Sequence, residues 1–462
     1  MGKRKFHMPT AYTILFFLLV LVALSTWLIP AGAYSYVDGV PVAGSFHLVA
    51  ANPQGIGDVL KAAFSGFYDA VDVCVFILMV GGFLGVVMKT GAIDAGMSRI
   101  IQRLNGREKL LIPILMLFFG LGGTTFGMWE ETMAFFPLLV PVFLAAGYDA
   151  IVGISVILLG AGAGIIGSTV NPFATGIAAG FAGVSLGEGL LLRLVIWILL
   201  EGSAIWFVMH YASRVKRSGV SGGLGVGAGG LEVHTEEAPP LTGRRKLILA
   251  VFALVFLIMI YSVIPFDEMG VSLPTLGWWF PELSALFLAG GVIVGIIDHM
   301  DEASITEQYV SGCADLLGVA FIIGISRGIT VLMTDGRITD TILHWGESAL
   351  SNAGQVLFVT LVFLLYLPLS VLIPSSSGLA TLSIPIIAPL ARFSGVGGDL
   401  VVTAFQAASG LVNLLTPTSA VVMGALALAH VPYDRWLKYA WKLIAFFLLL
   451  ILAVLTLAAL IG

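Results

Sequence analysis

The chain has 462 residues, 58% hydrophobic and only 11% charged, with a formal net charge of −5. That balance excludes a water-soluble globular enzyme and describes a polytopic membrane protein. No basic stripe is present for nucleic acid, and the two cysteines, Cys74 and Cys313, have neither a disulfide framework nor metal-ligand spacing.

Met1-Gly2-Lys3-Arg4-Lys5 is a basic start, which places the N-terminus in the cytoplasm under the positive-inside rule. A first span, TM1, is expected over about Tyr12–Ala31; no A-x-A cleavage pattern ends it cleanly, so it reads as an anchor helix rather than a removed signal peptide. The loop that follows, to about Asp58, has no Lys or Arg and is expected outside. TM2, about Asp69–Met88, returns inside to Lys89, Arg99, Arg103, Arg107 and Lys109, on an expected interfacial helix.

A hairpin over 110–146 comes next, entered and left from the inside. A broken TM3 over 149–184 and TM4, about Leu190–Tyr211, complete a first half, residues 1–212. Residues 213–246 form a glycine-rich cytoplasmic linker that ends on Arg244-Arg245-Lys246. The second half, 247–462, holds TM5 (about Leu247–Ile264), TM6 (about Leu283–Ile297), TM7 (about Asp315–Met333), a hairpin over 356–392 entered from outside, a broken TM8 over 400–429 and TM9 (about Leu437–Ile461). Trp278 and Trp279, in a loop without Lys or Arg, suit an outer interface.

The halves repeat one another. Pro137 and Pro141 match Pro385 and Pro389, Gly147 matches Gly395, and Gly160 matches Gly410. Ser65-Gly66-x-x-Asp69 matches Ser311-Gly312-x-x-Asp315, and Met88-x-x-Gly91-x-Ile93 matches Met333-x-x-Gly336-x-Ile338. An odd number of crossings separates the Asp69 and Asp315 points, so the repeats are inverted. The expected architecture is all-α, with about nine spanning helices, two re-entrant hairpins and two broken helices.

Polar, glycine-broken backbone inside apolar sequence survives in lipid only when buried in protein or lining a wet cavity. Paired breaks in corresponding halves point to a transporter's binding site. The candidates at the hairpin tips are Thr124 and Thr125, then Ser375, Ser376 and Ser377. Those at the helix breaks are Ser168, Thr169 and Asn171, then Asn413, Thr416, Thr418 and Ser419. Their hydroxyls and amides suit an ion or substrate, or else cap the local helix ends. Glu130 and Glu131 are the most specific local signal, because a carboxyl at membrane depth is costly and usually functional. They suit proton carriage or a cationic substrate. Asp69, Asp315 and Arg327 are supporting charges; Asp69 and Asp315 are expected at helix starts, and Arg327 could meet a buried acid or a substrate carboxylate. Glu201 in TM4 is a further candidate partner, outside the broken core. No P-loop, G-x-S-x-G or H-E-x-x-H motif is present, which leaves an ATP-driven pump or a hydrolase without support.

At Gly123-Thr124-Thr125-Phe126-Gly127-Met128-Trp129-Glu130-Glu131-Thr132, Gly167-Ser168-Thr169-Val170-Asn171-Pro172 and Pro374-Ser375-Ser376-Ser377-Gly378, the chain resembles the C4-dicarboxylate anaerobic carrier family, and within it the YfcC-like members. The resemblance covers nearly the whole chain. It implies a scaffold domain, a transport domain holding both hairpins and both broken helices, and a homodimer. Sodium-coupled dicarboxylate members of the wider superfamily carry Ser-Asn-Thr at each tip. Here Thr124-Thr125-Phe126 and Ser375-Ser376-Ser377 stand instead, which counts against a sodium site of that kind. The family also includes members that resemble arginine/ornithine exchangers.

The expected function is therefore secondary transport or exchange of a small charged metabolite by alternating access, in a bacterial inner membrane. A basic amino acid comes first, because Glu130 and Glu131 put negative charge at a tip. A C4-dicarboxylate is the alternative, suited by Arg327 and the Ser/Thr tips. An ion channel or an intramembrane enzyme would be a different class. No cofactor is expected; coupling to Na⁺ or H⁺ stays open.

Overall fold

The computed structural model describes residues 11–37, 40–93, 95–96, 99, 108–125, 127–185, 187–218, 240–263, 266, 272–350 and 353–461. The basic N-terminal start, most of the interfacial helix after Lys89, Phe126 and most of the linker (219–239) lie outside the described residues.

Seventeen α-helices occur among the described residues. The first half contains α1 (Ala11–Leu28), α2 (Ile56–Asp69), α3 (Val71–Lys89), α4 (Leu111–Thr125), α5 (Phe136–Ala145), α6 (Ala150–Ile166), α7 (Ile177–Ala182) and α8 (Leu190–Ser218). Then come α9 (Gly243–Val263), α10 (Phe280–Ile297), α11 (Glu302–Asp335), α12 (Thr339–Leu350), α13 (Gln355–Leu372), α14 (Ser376–Phe393), α15 (Gly398–Asn413), α16 (Ala420–Leu428) and α17 (Tyr433–Ile461). Four two-residue strands between α1 and α2 form two small antiparallel ribbons. Tyr34 and Tyr36 pin them to α12: the Tyr36 hydroxyl donates to Asp340 at 2.8 Å and the Tyr34 hydroxyl to Glu347 at 2.7 Å.

Among the described residues, seven helices are long and apolar enough to cross a membrane: α3, α4 with the turn before it, α8, α10, α11, α13 and α17. Each packs part of its apolar surface inward and leaves part facing out. The centre is α6, whose seventeen residues are all buried. A helix apolar all round has no solvent face to orient it. Here α4, α8 and α15 enclose it, with Gly160 and Gly164 admitting the backbone of α4 and Gly162 the side chain of Leu414 beyond the end of α15. Its start is held by Asp149, which accepts from the Val152 N–H at 3.1 Å and the Tyr211 hydroxyl at 2.6 Å.

The inverted repeat is visible as packing. Gly66 on α2 faces Gly324 and Gly328 on α11 so closely that a Cβ would collide with the Gly324 carbonyl. Its repeat counterpart, Gly312 on α11, faces Gly81 and Gly85 on α3 in the same way. The two counterpart glycines thus each make a close backbone approach to the other half. The order is also antiparallel, since the higher-numbered glycines of α3 meet the lower-numbered end of α11. Equivalent helices running in opposite directions make the repeats inverted.

The two copies differ at one place. α11 is continuous over 34 residues, whereas its counterpart is interrupted at Ala70, where φ is −124° and ψ is 25°, between α2 and α3. This corrects the expected boundaries. TM7 begins thirteen residues before Asp315, so Asp315 lies mid-helix and exposed rather than at a helix start. Asp69 ends α2 instead of starting a helix. The hydropathy of 302–314 is masked by Glu302, Glu307 and Gln308, which hid the first turns of α11 from a sequence reading.

Candidate substrate cavity

A cavity of about 230 Å³ lies where both helix–turn–helix tips and both helix breaks meet. The first tip follows α4: the chain turns at Gly127 and enters a 3-10 segment, Glu130–Phe135, before α5. Gly127 has φ +80°, and a Cβ there would sit 2.5 Å from the Asn171 side-chain nitrogen. Only glycine allows both the left-handed turn and the approach of the Asn171 amide. The turn aims Glu130 and Glu131 into the cavity. Glu131 also accepts from the Trp129 N–H at 3.1 Å, which fixes its carboxyl against the tip.

The first break is tied to the same tip. Thr124 donates towards the Gly167 carbonyl at 3.3 Å and the Thr169 hydroxyl at 3.2 Å, while the Thr169 N–H donates to Thr124 Oγ1 at 3.1 Å. Thr169 returns a bond to the Thr124 carbonyl at 2.9 Å. The hydroxyls of Ser168 and Thr175 pair at 2.5 Å across the break. Asn171 reaches the cavity and accepts from the Ala174 N–H at 3.3 Å. Thr125 bonds back to the Leu121 carbonyl at 2.6 Å and is not among the lining residues.

The second tip and break present helix N-termini. Ser375 caps α14 by accepting from the Gly378 N–H at 3.2 Å, and Ser419 caps α16 by accepting from the Val422 N–H at 3.5 Å. Ser375, Ser376 and Ser377 line the cavity, as do Asn413, Thr418, Ser419 and Ala420. Both helices therefore begin at the cavity wall and direct their positive ends towards it. Thr418 donates to the Val371 carbonyl at 2.9 Å, joining this break to α13, and pairs with Thr416, which is buried behind it.

Four carboxyl groups and one guanidinium share the cavity: Asp69, Asp72, Glu130, Glu131 and Arg327. Arg327 pairs with Asp69, Nε to Oδ2 at 3.4 Å. Asp315 is not among the lining residues, so the repeat places its two aspartates in different surroundings.

Several residues in or behind the cavity wall escape a sequence reading. Asp72 was hidden in an apolar run, and only the break at Ala70 brings it to the cavity. Gln406 sits in the buried stretch of α15 and donates to the Ile165 carbonyl at 2.9 Å. Ser326, on α11, donates to the Thr418 carbonyl at 2.7 Å beside Arg327. Arg193 is buried in α8 and donates to the Thr169 carbonyl at 3.2 Å, holding the first break from behind. A charged residue in an apolar run was the available signal for Asp72 and Arg193 alike.

Antiparallel repeats, two broken helices and one central polar cavity define a membrane transporter of the inverted-repeat type. The family model of the C4-dicarboxylate anaerobic carriers (DcuC) matches residues 8–460, and the chain belongs to that family. It is a multi-pass membrane transporter and not an enzyme. It is 34% identical over 503 residues to an uncharacterized protein of Haemophilus influenzae, covering 97% of this chain and 96% of that one. It is 30% identical over 489 residues to the Escherichia coli K12 protein named "Putative basic amino acid antiporter YfcC", covering 94% and 93%. Structural neighbours include the YdaH transporter of Alcanivorax borkumensis, with a TM-score of 0.47, 15% identity and coverage of 97% and 98%. Another is MtrF of Neisseria gonorrhoeae, from a class of antimetabolite efflux pumps, with a TM-score of 0.44, 18% identity and coverage of 98% and 95%.

Proposed function

We propose that this chain exchanges a basic amino acid, arginine- or ornithine-like, across the membrane by alternating access. The excess of carboxyl groups in the cavity carries this reading. Asp69 engages Arg327, which leaves Asp72, Glu130 and Glu131 to face a cationic side chain. The N-termini of α14 and α16 suit the substrate's carboxylate, since helix starts favour anions. The two ends of one amino acid would then be held by different repeats: the cation by the acids of the first, the carboxylate by the helix starts of the second. The name of the Escherichia coli relative agrees with this assignment. Arg327 favours a second reading, a C4-dicarboxylate held by the guanidinium and the serines.

Exchange in proteoliposomes separates the two. Radiolabelled arginine is expected to enter saturably against internal arginine or ornithine, and succinate is expected neither to enter nor to compete. Saturable succinate flux without arginine flux would overturn the proposal and move substrate recognition to Arg327.

The reading includes an inner-membrane homodimer with a cytoplasmic N-terminus and a cytoplasmic linker, shorter than the expected 213–246 because α8 runs to Ser218 and α9 starts at Gly243. In a Cys74→Ala, Cys313→Ala background, single cysteines placed in 219–239 should resist a membrane-impermeant thiol reagent added outside, and those in 42–52 should react. The opposite pattern would invert the topology.

A further inference from the structure

Glu201 is not among the cavity-lining residues and has no role in the contacts described above. It is the twelfth residue of α8, well inside an apolar helix long enough to cross a membrane. The residue is 2% exposed, and neither carboxyl oxygen has a hydrogen-bond partner. The Trp197 indole N–H sits beside the carboxyl. The seat is shaped for the carboxyl by α4: a Cβ on Gly120 would lie 2.7 Å from Glu201 Oε2 and 3.2 Å from Trp197 Nε1. Any other residue at 120 would occupy the space the carboxyl fills.

No ionisable side chain on α4 or α6 is available to balance a charge there, as neither helix contains one. On α8 itself, Arg193 lies two turns away and donates to the Thr169 carbonyl. On α17, Tyr439 packs on Phe207 and Tyr211, more than a turn in the other direction. A carboxylate without partners in such surroundings is too costly to keep ionised.

The seat is also mechanically joined to the first tip. Gly120 lies one turn before Thr124 on α4. Trp197 packs against Gly167, whose carbonyl receives the Thr124 hydroxyl at 3.3 Å. A shift of α4 along α8 therefore changes the surroundings of the Glu201 carboxyl and of the tip together.

We propose that Glu201 is a proton-carrying site that couples substrate movement to H⁺. Water on one side supplies the proton that forms the O–H bond in the conformation described here. When α4 shifts, that bond breaks, one H⁺ passes to water on the other side, and a carboxylate remains. The proposal rests on the carrier reading but not on the identity of the substrate.

The test uses full-length wild-type protein and E201Q in proteoliposomes, with arginine as substrate and a trapped pH indicator. Wild type is expected to move H⁺ with arginine and to accumulate it at least about fivefold under an imposed pH gradient. E201Q mimics the neutral acid, so it should keep arginine counterflow within about twofold while losing the gradient response and the H⁺ movement. Equal gradient responses in both proteins, or wild-type arginine flux without H⁺ movement, would overturn the site. The arginine assignment is judged separately, by wild-type counterflow. pH-difference infrared spectra read the site without any substrate: E201Q should lack one protonated-carboxyl band that wild type shows, and identical spectra overturn the assignment. If E201Q does not assemble, Trp197→Phe retains the carboxyl and removes the adjacent N–H. It should move the pH of half-maximal gradient-driven uptake, and an unmoved profile counts against the proposal.

Discussion

Replacing Glu130 or Glu131 with glutamine is expected to reduce arginine flux at least tenfold, with both proteins still reaching the membrane. The substitution keeps size and shape, so it tests charge. Three carboxyl groups remain for a cationic substrate once Asp69 is paired with Arg327, and two of them are these glutamates. Losing one partner of a desolvated charge pair costs about 2–5 kcal/mol. Each 1.4 kcal/mol is about tenfold in affinity. The loss should appear first as weaker apparent affinity, because the pairing holds the ground state. Glu131→Gln should also loosen the tip, since its carboxylate accepts the Trp129 N–H at 3.1 Å. Initial uptake rates over a range of arginine concentrations, normalised to reconstituted protein, decide the matter. Near-wild-type uptake from both variants would remove the acidic tip from substrate recognition and return weight to Arg327.

The second large effect is structural. Gly312→Val is expected to abolish or nearly abolish assembly of a monodisperse, folded protein. A Cβ at Gly312 would strike the Gly81 carbonyl and lie 3.0 Å from Gly85 Cα. Backbone on both sides leaves no flexible side chain to yield, so α3 and α11 must separate. Overpacking typically costs about 1–3 kcal/mol, and more where backbone must move. Gly202→Ala is the matched control: it lies on α8 with nothing within 4 Å of the added carbon, and should be neutral. Fluorescence-detected size exclusion and thermal melts of both variants read the difference. A Gly312→Val protein with wild-type elution and melting would mean that the close crossing of the repeats is dispensable.

The sequence alone determined the class of this protein. Its hydrophobic content forces a helical membrane fold, because lipid leaves unpaired backbone groups without partners. Matched prolines and glycines displayed the duplication, and the polar breaks at Gly167–Pro172 and Asn413–Ser419 stood out from their apolar surroundings. Glu130 and Glu131 were legible for the same reason. Such signals are local: they need only a residue type that does not belong in lipid.

The tertiary structure decided what local signals cannot carry. Asp72 faces the cavity only because the chain breaks at Ala70, in a stretch whose repeat counterpart forms an unbroken helix. Asp69 pairs with Arg327 at the cavity, whereas Asp315 lies mid-helix away from the lining. Thr124 and Thr125 read alike in sequence, yet one ties the tip to the broken helix and the other merely bonds back along its own turn. Glu201 seemed peripheral because α8 carries no break, and only the glycine at 120 on another helix gives its carboxyl a seat. Each of these outcomes depends on which backbone approaches from elsewhere in the chain, and a duplicated sequence pattern does not specify where its two copies part company.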